Sequence, residues 1–167
     1  MLHQALEKIK KNKIDNVIIE ASSHGLHQKR ISHLNLIAGI FTNFSQDHLD
    51  YHYSMHSYLN SKLSLFKNIL SPKKVVISDK FIKEYSLLKK ISSKKKLRLI
   101  EIGKIKEKLM NYKKLKPFND FQIKNLSMAI EAAKQCNLKE KKIFRSLKKI
   151  KDINGRLELI KTFSNNI

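Results

Sequence analysis

All seven histidines of this chain fall before residue 57: His3, His24, His27, His33, His48, His52 and His56. Two segments gather them with other reactive side chains. The first runs Glu20-Ala-Ser-Ser-His-Gly-Leu-His-Gln-Lys-Arg30, and the second Phe41-Thr-Asn-Phe-Ser-Gln-Asp-His-Leu-Asp-Tyr-His52. Lys62 follows His48 by fourteen residues. A carboxylate and an imidazole at adjacent strand ends can share a divalent cation. Glu20 suits magnesium, an oxygen-loving ion, and His48 is then the unusual ligand; manganese accepts both donor types. Plainer roles compete with each of these. Glu20 can be a capping or solvated carboxylate, Asp47-His48 a local hydrogen bond, and Lys62 one of 31 lysines.

The elements that must position these residues are legible from hydrophobic periodicity. Leu2, Ala5, Leu6 and Ile9 give residues 1–12 one apolar helical face. Val17-Ile18-Ile19 reads as a short buried strand ending at Glu20, and 37–41 as a second ending at Thr42-Asn43. Residues 55–70 are a predicted helix with Leu59, Leu63, Phe66 and Leu70 at its period, stopped by Pro72. Residues 75–77 and 97–102 read as further strands, with a helix over 80–91 between them. Residues 104–117 are Lys-rich and weakly patterned, an exposed connection or ragged strand. Helices follow over 122–135 and 139–150, then a turn at Asn154-Gly155 and a strand start at Leu157–Ile160. Continuous apolar strands alternating with helices predict an α/β fold, a mostly parallel sheet with flanking helices. Ligands of such sheets gather at the carboxyl ends of the strands, where Glu20 and Asn43 fall.

Composition narrows the class. Of 167 residues 41% are hydrophobic, enough for a buried core and against a disordered tail. No apolar run approaches the roughly 20 residues of a membrane span, so no membrane partner is expected. One cysteine, Cys136, excludes an internal disulfide framework, and a reducing cytoplasmic location is the default. The net charge of +21 is uneven: residues 1–70 hold 8 Lys/Arg against 5 Asp/Glu, residues 71–167 hold 27 against 9. Only four basic residues are arginine. Nucleic-acid recognition leans on arginine's planar fork, so a dedicated nucleic-acid role is not expected.

The two segments, with the lysine fourteen residues on, closely resemble the central domain of the Mur ligases. The Ser-Ser-His-Gly-Leu string is that of the branch that adds the third residue to the peptidoglycan stem peptide. Further on, Phe118-Asn119 and Asn125 resemble a Phe-Asn-x-x-Asn stretch near the adenine, with stretched spacing. Gly155-Arg156-Leu157-Glu158 resembles a Gly-Arg-x-Glu whose arginine contacts ATP. The resemblance implies a partial central domain over 1–160, with 161–167 starting a further domain or tail. It implies ATP-dependent joining of diaminopimelate or lysine to UDP-N-acetylmuramoyl-L-alanyl-D-glutamate through an acyl phosphate. It implies magnesium at Glu20, His48 and a carbamylated Lys62, the catalytic lysine. It assigns the nucleotide-sugar substrate to Ser22, Gln28 and Arg30, and ATP to Asn125 and Arg156.

No Gly-x-x-x-x-Gly-Lys-Ser/Thr phosphate loop occurs in the chain. In the family it lies upstream of the position of Met1, and an amino-acid-selecting domain lies downstream. The expectation is therefore a central-domain fragment, inactive alone, marginal in stability and in need of a complementary N-terminal fragment. The alternative is a non-catalytic nucleotide or nucleotide-sugar binding module.

Overall fold

A computed structural model describes residues 2–111 and 118–150. In chain order the elements are α1 (Leu2–Lys11), α2 (Ser23–His27), β1 (Ala38–Phe41), α3 (Leu49–His52), α4 (Met55–Ser64), β2 (Val75–Ser78), α5 (Tyr85–Lys94), β3 (Arg98–Glu101), α6 (Gly103–Met110), α7 (Asp120–Gln135) and α8 (Glu140–Ser146). Helix α4 continues into a π-helical turn, Leu65–Ile69, and α8 into a 3-10 turn, Leu147–Lys149.

The three strands form a parallel sheet in the order β1-β2-β3, with Ala38 opposite Val75 and Val75 opposite Arg98. Every residue of the central strand β2 is buried. Successive side chains of a strand point to opposite faces. Val76 accordingly enters one core with Leu63, Phe66, Leu70 and Leu88, while Val75 and Ile77 meet Met128 of α7 in another. This is the parallel sheet with flanking helices that the alternation predicts.

Gly39 lets β1 lie close to the π-helical turn. A Cβ there would stand 2.9 Å from Phe66 and 3.0 Å from Leu70.

Three expectations need correction. Val17–Ile19 forms no strand: it is irregular and unpaired, with Ile18 93% exposed and only Ile19 packed inward. A strand exists only through a neighbour's backbone groups, and none of the described residues pairs with it. Residues 103–110 are helical rather than a ragged connection. Ile105 and Leu109, four apart, bury one face against Ile123, Ile130 and Ile143, and the lysines between them stay outside. The helix expected over 80–91 starts later, at Tyr85, and runs to Lys94. The turn at Asn154-Gly155, the strand start at Leu157–Ile160 and residues 161–167 lie outside the described residues.

Candidate functional site

The segment after β1 carries its polar residues out past the strand's carboxyl end. His48 adopts a left-handed backbone, φ 53°, which non-glycine residues rarely do. Its N–H donates to Asp47 Oδ1 at 2.8 Å, and its ring Nε2 lies 3.4 Å from Asp47 Oδ2. Ser54 caps α4, accepting from the Ser57 N–H. That helix presents Tyr58 and Lys62 four residues apart, on one face.

Tyr58 is the buried hub. His48 meets its ring edge-on at 5.8 Å, His52 stacks on it at 5.3 Å, and Lys62 Nζ lies 5.2 Å from its centroid. Lys62 Nζ also donates to the Asn43 carbonyl at 3.2 Å. His48 and Lys62 are thus brought to one place, with Asn43 at the end of β1 as the lysine's anchor.

The first segment folds differently from the second. Ser22 caps the short helix α2, its hydroxyl accepting from the Gly25 N–H at 3.1 Å. Glu20, Ser22 and Arg30 line a cavity of ≈ 180 Å³ together with Leu2, Ile19 and Ile31. Gln28 does not join them. Its amide donates to the Tyr51 hydroxyl at 3.2 Å, and the same hydroxyl is hydrogen-bonded to His27 Nδ1 at 3.0 Å. His24 sits between the two groups, 4.1 Å from the Tyr51 ring and 4.9 Å from His48.

Glu20, Ser22 and Arg30 thus share one cavity, and His48 and Lys62 share the Tyr58 ring. Among the described residues no group of three or more His, Cys, Asp or Glu side chains is arranged to hold a metal ion. Lys62 as a free amine donates a hydrogen bond and offers no oxygen. Glu20 and His48 offer a carboxylate and an imidazole, donors a divalent cation accepts, and Lys62 would add an oxygen ligand only once carbamylated.

Asn125 is exposed on α7. Asn119 caps the same helix, accepting from the Gln122 N–H while Gln122 accepts from the Asn119 N–H, both at 2.9 Å. Arg156 lies outside the described residues. Sequence reasoning assigned no role to Tyr51, Tyr58 or His24. The i,i+4 spacing of Tyr58 and Lys62 was the signal that was available.

A second charged group sits beyond β2. Asp79, 2% exposed, faces Lys124 Nζ at 3.1 Å, and Lys124 also reaches Asp120 at 3.3 Å. Lys106 completes the chain at 2.6 Å from Asp120. The bond to Asp79 first, and that to Asp120, raise the Lys124 pKa despite its burial.

A parallel sheet flanked by helices, with polar residues gathered past β1, defines an α/β ligand-binding domain of the doubly covered type. A family model described as the Mur ligase middle domain matches residues 1–143, and the chain belongs to that family. Its relatives include the UDP-N-acetylmuramoyl-L-alanyl-D-glutamate--2,6-diaminopimelate ligase of Rickettsia bellii (strain RML369-C), 32% identical over 173 residues, covering 92% of this chain and 36% of that protein. The ligase of the same name from Chelativorans sp. (strain BNC1) is 32% identical over 185 residues, covering 96% and 38%. A solved structure of a UDP-N-acetylmuramoyl-L-alanyl-D-glutamate--2,6-diaminopimelate ligase superposes with a TM-score of 0.63 at 19% identity, covering 86% of this chain and 34% of that one. The chain thus spans about a third of the length of the relatives it matches.

Proposed function

We propose that the chain supplies the middle-domain part of an ATP-dependent ligase that joins diaminopimelate to UDP-N-acetylmuramoyl-L-alanyl-D-glutamate. The match of residues 1–143 to the family carries this reading. The family depends in general on ATP and magnesium. The partial central domain extends over 1–160 and a further domain or tail begins at 161. The activity belongs to the cytoplasmic step of cell-wall precursor synthesis; among the described residues no helix is long and apolar enough to cross a membrane.

In this reading Arg30 and Ser22 receive the anionic nucleotide-sugar substrate, with Arg30 offering a fork of donors to a carboxylate or phosphate. Gln28, bonded to Tyr51 away from that cavity, would turn to the same substrate. Asn43 and Tyr58 hold the Lys62 amine in place for carbamylation, which would convert it into an oxygen donor beside His48. Asn125 and Arg156 serve the nucleotide. Glu20, His48 and a carbamylated Lys62 would hold magnesium, which would supply charge stabilisation for phosphoryl transfer.

Without a phosphate loop of its own, the 167-residue chain should turn over no ATP by itself. Backbone donors and a loop lysine supply much of the charge stabilisation in this chemistry. The test mixes the purified chain with ATP, diaminopimelate and the muramoyl dipeptide, alone and with a separately expressed segment bearing a phosphate loop from a relative. Ligation only in the mixture, lost in Lys62→Gln, is the expected result. Turnover by the chain alone would refute the dependence on a complementary segment.

The cavity beside Glu20, Ser22 and Arg30 favours one second reading, a non-catalytic nucleotide-sugar binding module. Calorimetric titration with UDP-N-acetylmuramoyl-L-alanyl-D-glutamate separates the two. Tight binding lost in Arg30→Ala, with no ligation in any mixture, would favour the module.

A further inference from the structure

We propose that the amino-terminal edge of the sheet, opposite the candidate site, is a docking surface for an anionic phospholipid bilayer. Lys73 and Lys74 lead into β2, and Lys94, Lys95 and Lys96 lead from α5 into β3. The two turns are tied together. The Lys73 N–H donates to the Lys96 carbonyl at 2.8 Å, and the Arg98 N–H donates to the Lys74 carbonyl at 2.9 Å. Lys73 and Lys96 both hold left-handed backbones, φ 68° and 53°. Five lysines therefore sit on one small rim, Lys73, Lys94 and Lys96 of them exposed.

The acidic residues of the β2–β3 region lie towards one end of the strands, where Lys80, Lys83 and Lys104 accompany them. Residues 71–78 and 86–98 contain no acidic residue, whereas Asp79, Glu84 and Glu101 stand at the carboxyl side. Glu131, one turn before Gln135 on α7, is engaged by Lys134 at 3.1 Å. Helix α5 runs into the rim at its carboxyl end, with Lys90 and Lys94 four residues apart on one stripe.

The chemistry of the rim selects among polyanions. The same segments contain no aromatic residue to stack on a base, and their one arginine, Arg98, donates to Gln135. Lysine is a compact point charge rather than a bidentate reader of phosphate or base. A plane of anionic headgroups asks only for such charges held on one face. Peripheral docking of this kind requires no membrane-crossing helix.

The experiment is co-sedimentation of the full chain with vesicles of phosphatidylglycerol and phosphatidylcholine, against vesicles of phosphatidylcholine alone. Each lysine near an anionic surface contributes roughly a fivefold gain in partitioning. A variant with Lys73, Lys74, Lys94, Lys95 and Lys96→Gln should partition at least about tenfold more weakly. A variant with Lys8, Lys10, Lys11, Lys141 and Lys142→Gln loses the same charge elsewhere and should keep most of its binding. Raising salt on the unaltered chain should release it, a reading that needs no variant to fold.

The proposal is overturned by no binding to anionic vesicles, by equal binding to phosphatidylcholine alone, or by equal loss in the two variants. It is also overturned if duplex DNA at the same ionic strength binds more tightly than the vesicles through the same lysines. The failure of this proposal leaves the ligase reading untouched, since the two rest on opposite edges of the sheet.

Discussion

His52 is 3% exposed, stacked on Tyr58, in a group that also holds His24, His27 and His48. The Ser61 hydroxyl donates to the Ser57 carbonyl at 3.0 Å, so its proton is committed. His52 Nδ1 lies 3.5 Å from the same oxygen, and its Nε2 is buried without a partner. Burial first, and the neighbouring imidazoles next, lower the His52 pKa below 6.5, with Asp50 opposing. The unfolded chain therefore binds this proton more readily than the folded one. Stability is present above the unfolded pKa and is lost as pH falls through the folded value. The urea midpoint should fall between about pH 7.5 and about pH 5.5. His52→Phe keeps the stack and removes the titration, so it should flatten that slope; an unchanged slope would place its source elsewhere. Asp79 gives a second test. Asp79→Asn keeps the acceptor for the Phe81 N–H but removes the charge facing Lys124. The loss should be about 2 kcal/mol in urea unfolding, the scale of a hydrogen bond to a charged group.

Among the elements, β1 is held on one face by α4 and its π-helical continuation. Gly39 is the point of closest approach, and Gly39→Ala pushes a methyl into Phe66 and Leu70, which are 1% exposed each. Overpacking of a closed core costs about 1–3 kcal/mol, and thermal unfolding should show a matching fall in Tm. A variant as stable as the parent would mean that the turn can yield. Helix α6 shows why lysine-rich stretches mislead. Its sequence is basic, yet Leu109 is fully buried and Lys106 and Lys108 reach across to Asp120 and Glu140 on the next two helices. The charges are the outer face of a helix rather than the mark of a loop.

For the whole molecule, the free flank lies beside β1. Among the described residues this strand is paired on one side only, and the segment before α2 exposes Ile14 at 50%, Val17 at 44% and Ile18 at 93%. Unpaired strand edges and exposed apolar side chains each invite association with another chain. Ile18→Lys should reduce self-association in light scattering and leave Tm unchanged, because Ile18 packs on nothing inside. A drop in Tm would show that the segment contributes to the core. The large positive charge of the second half opposes aggregation by repulsion, so association should grow as salt is added.

Periodicity and composition were enough to establish the parallel sheet, the order of its three strands along the chain and most of the helices. Apolar runs such as Val75–Ile77 can only be stable when covered on both faces, and that requirement is local to the sequence. The two motif segments announced a family resemblance by the order of their residues, and Lys62 stood out from the other lysines only through that resemblance. Tertiary structure alone decided what those residues touch. Whether Val17–Ile19 becomes a strand depends on a neighbour's backbone, which no property of the three residues can report. Whether 103–110 is helix or loop depended on the apolar surface that α7 and α8 offer to Ile105 and Leu109. That Glu20, Ser22 and Arg30 share a cavity while His48 and Lys62 share the Tyr58 ring follows from the paths of α2 and α4, because side-chain proximity across the fold is set by packing and not by spacing along the chain.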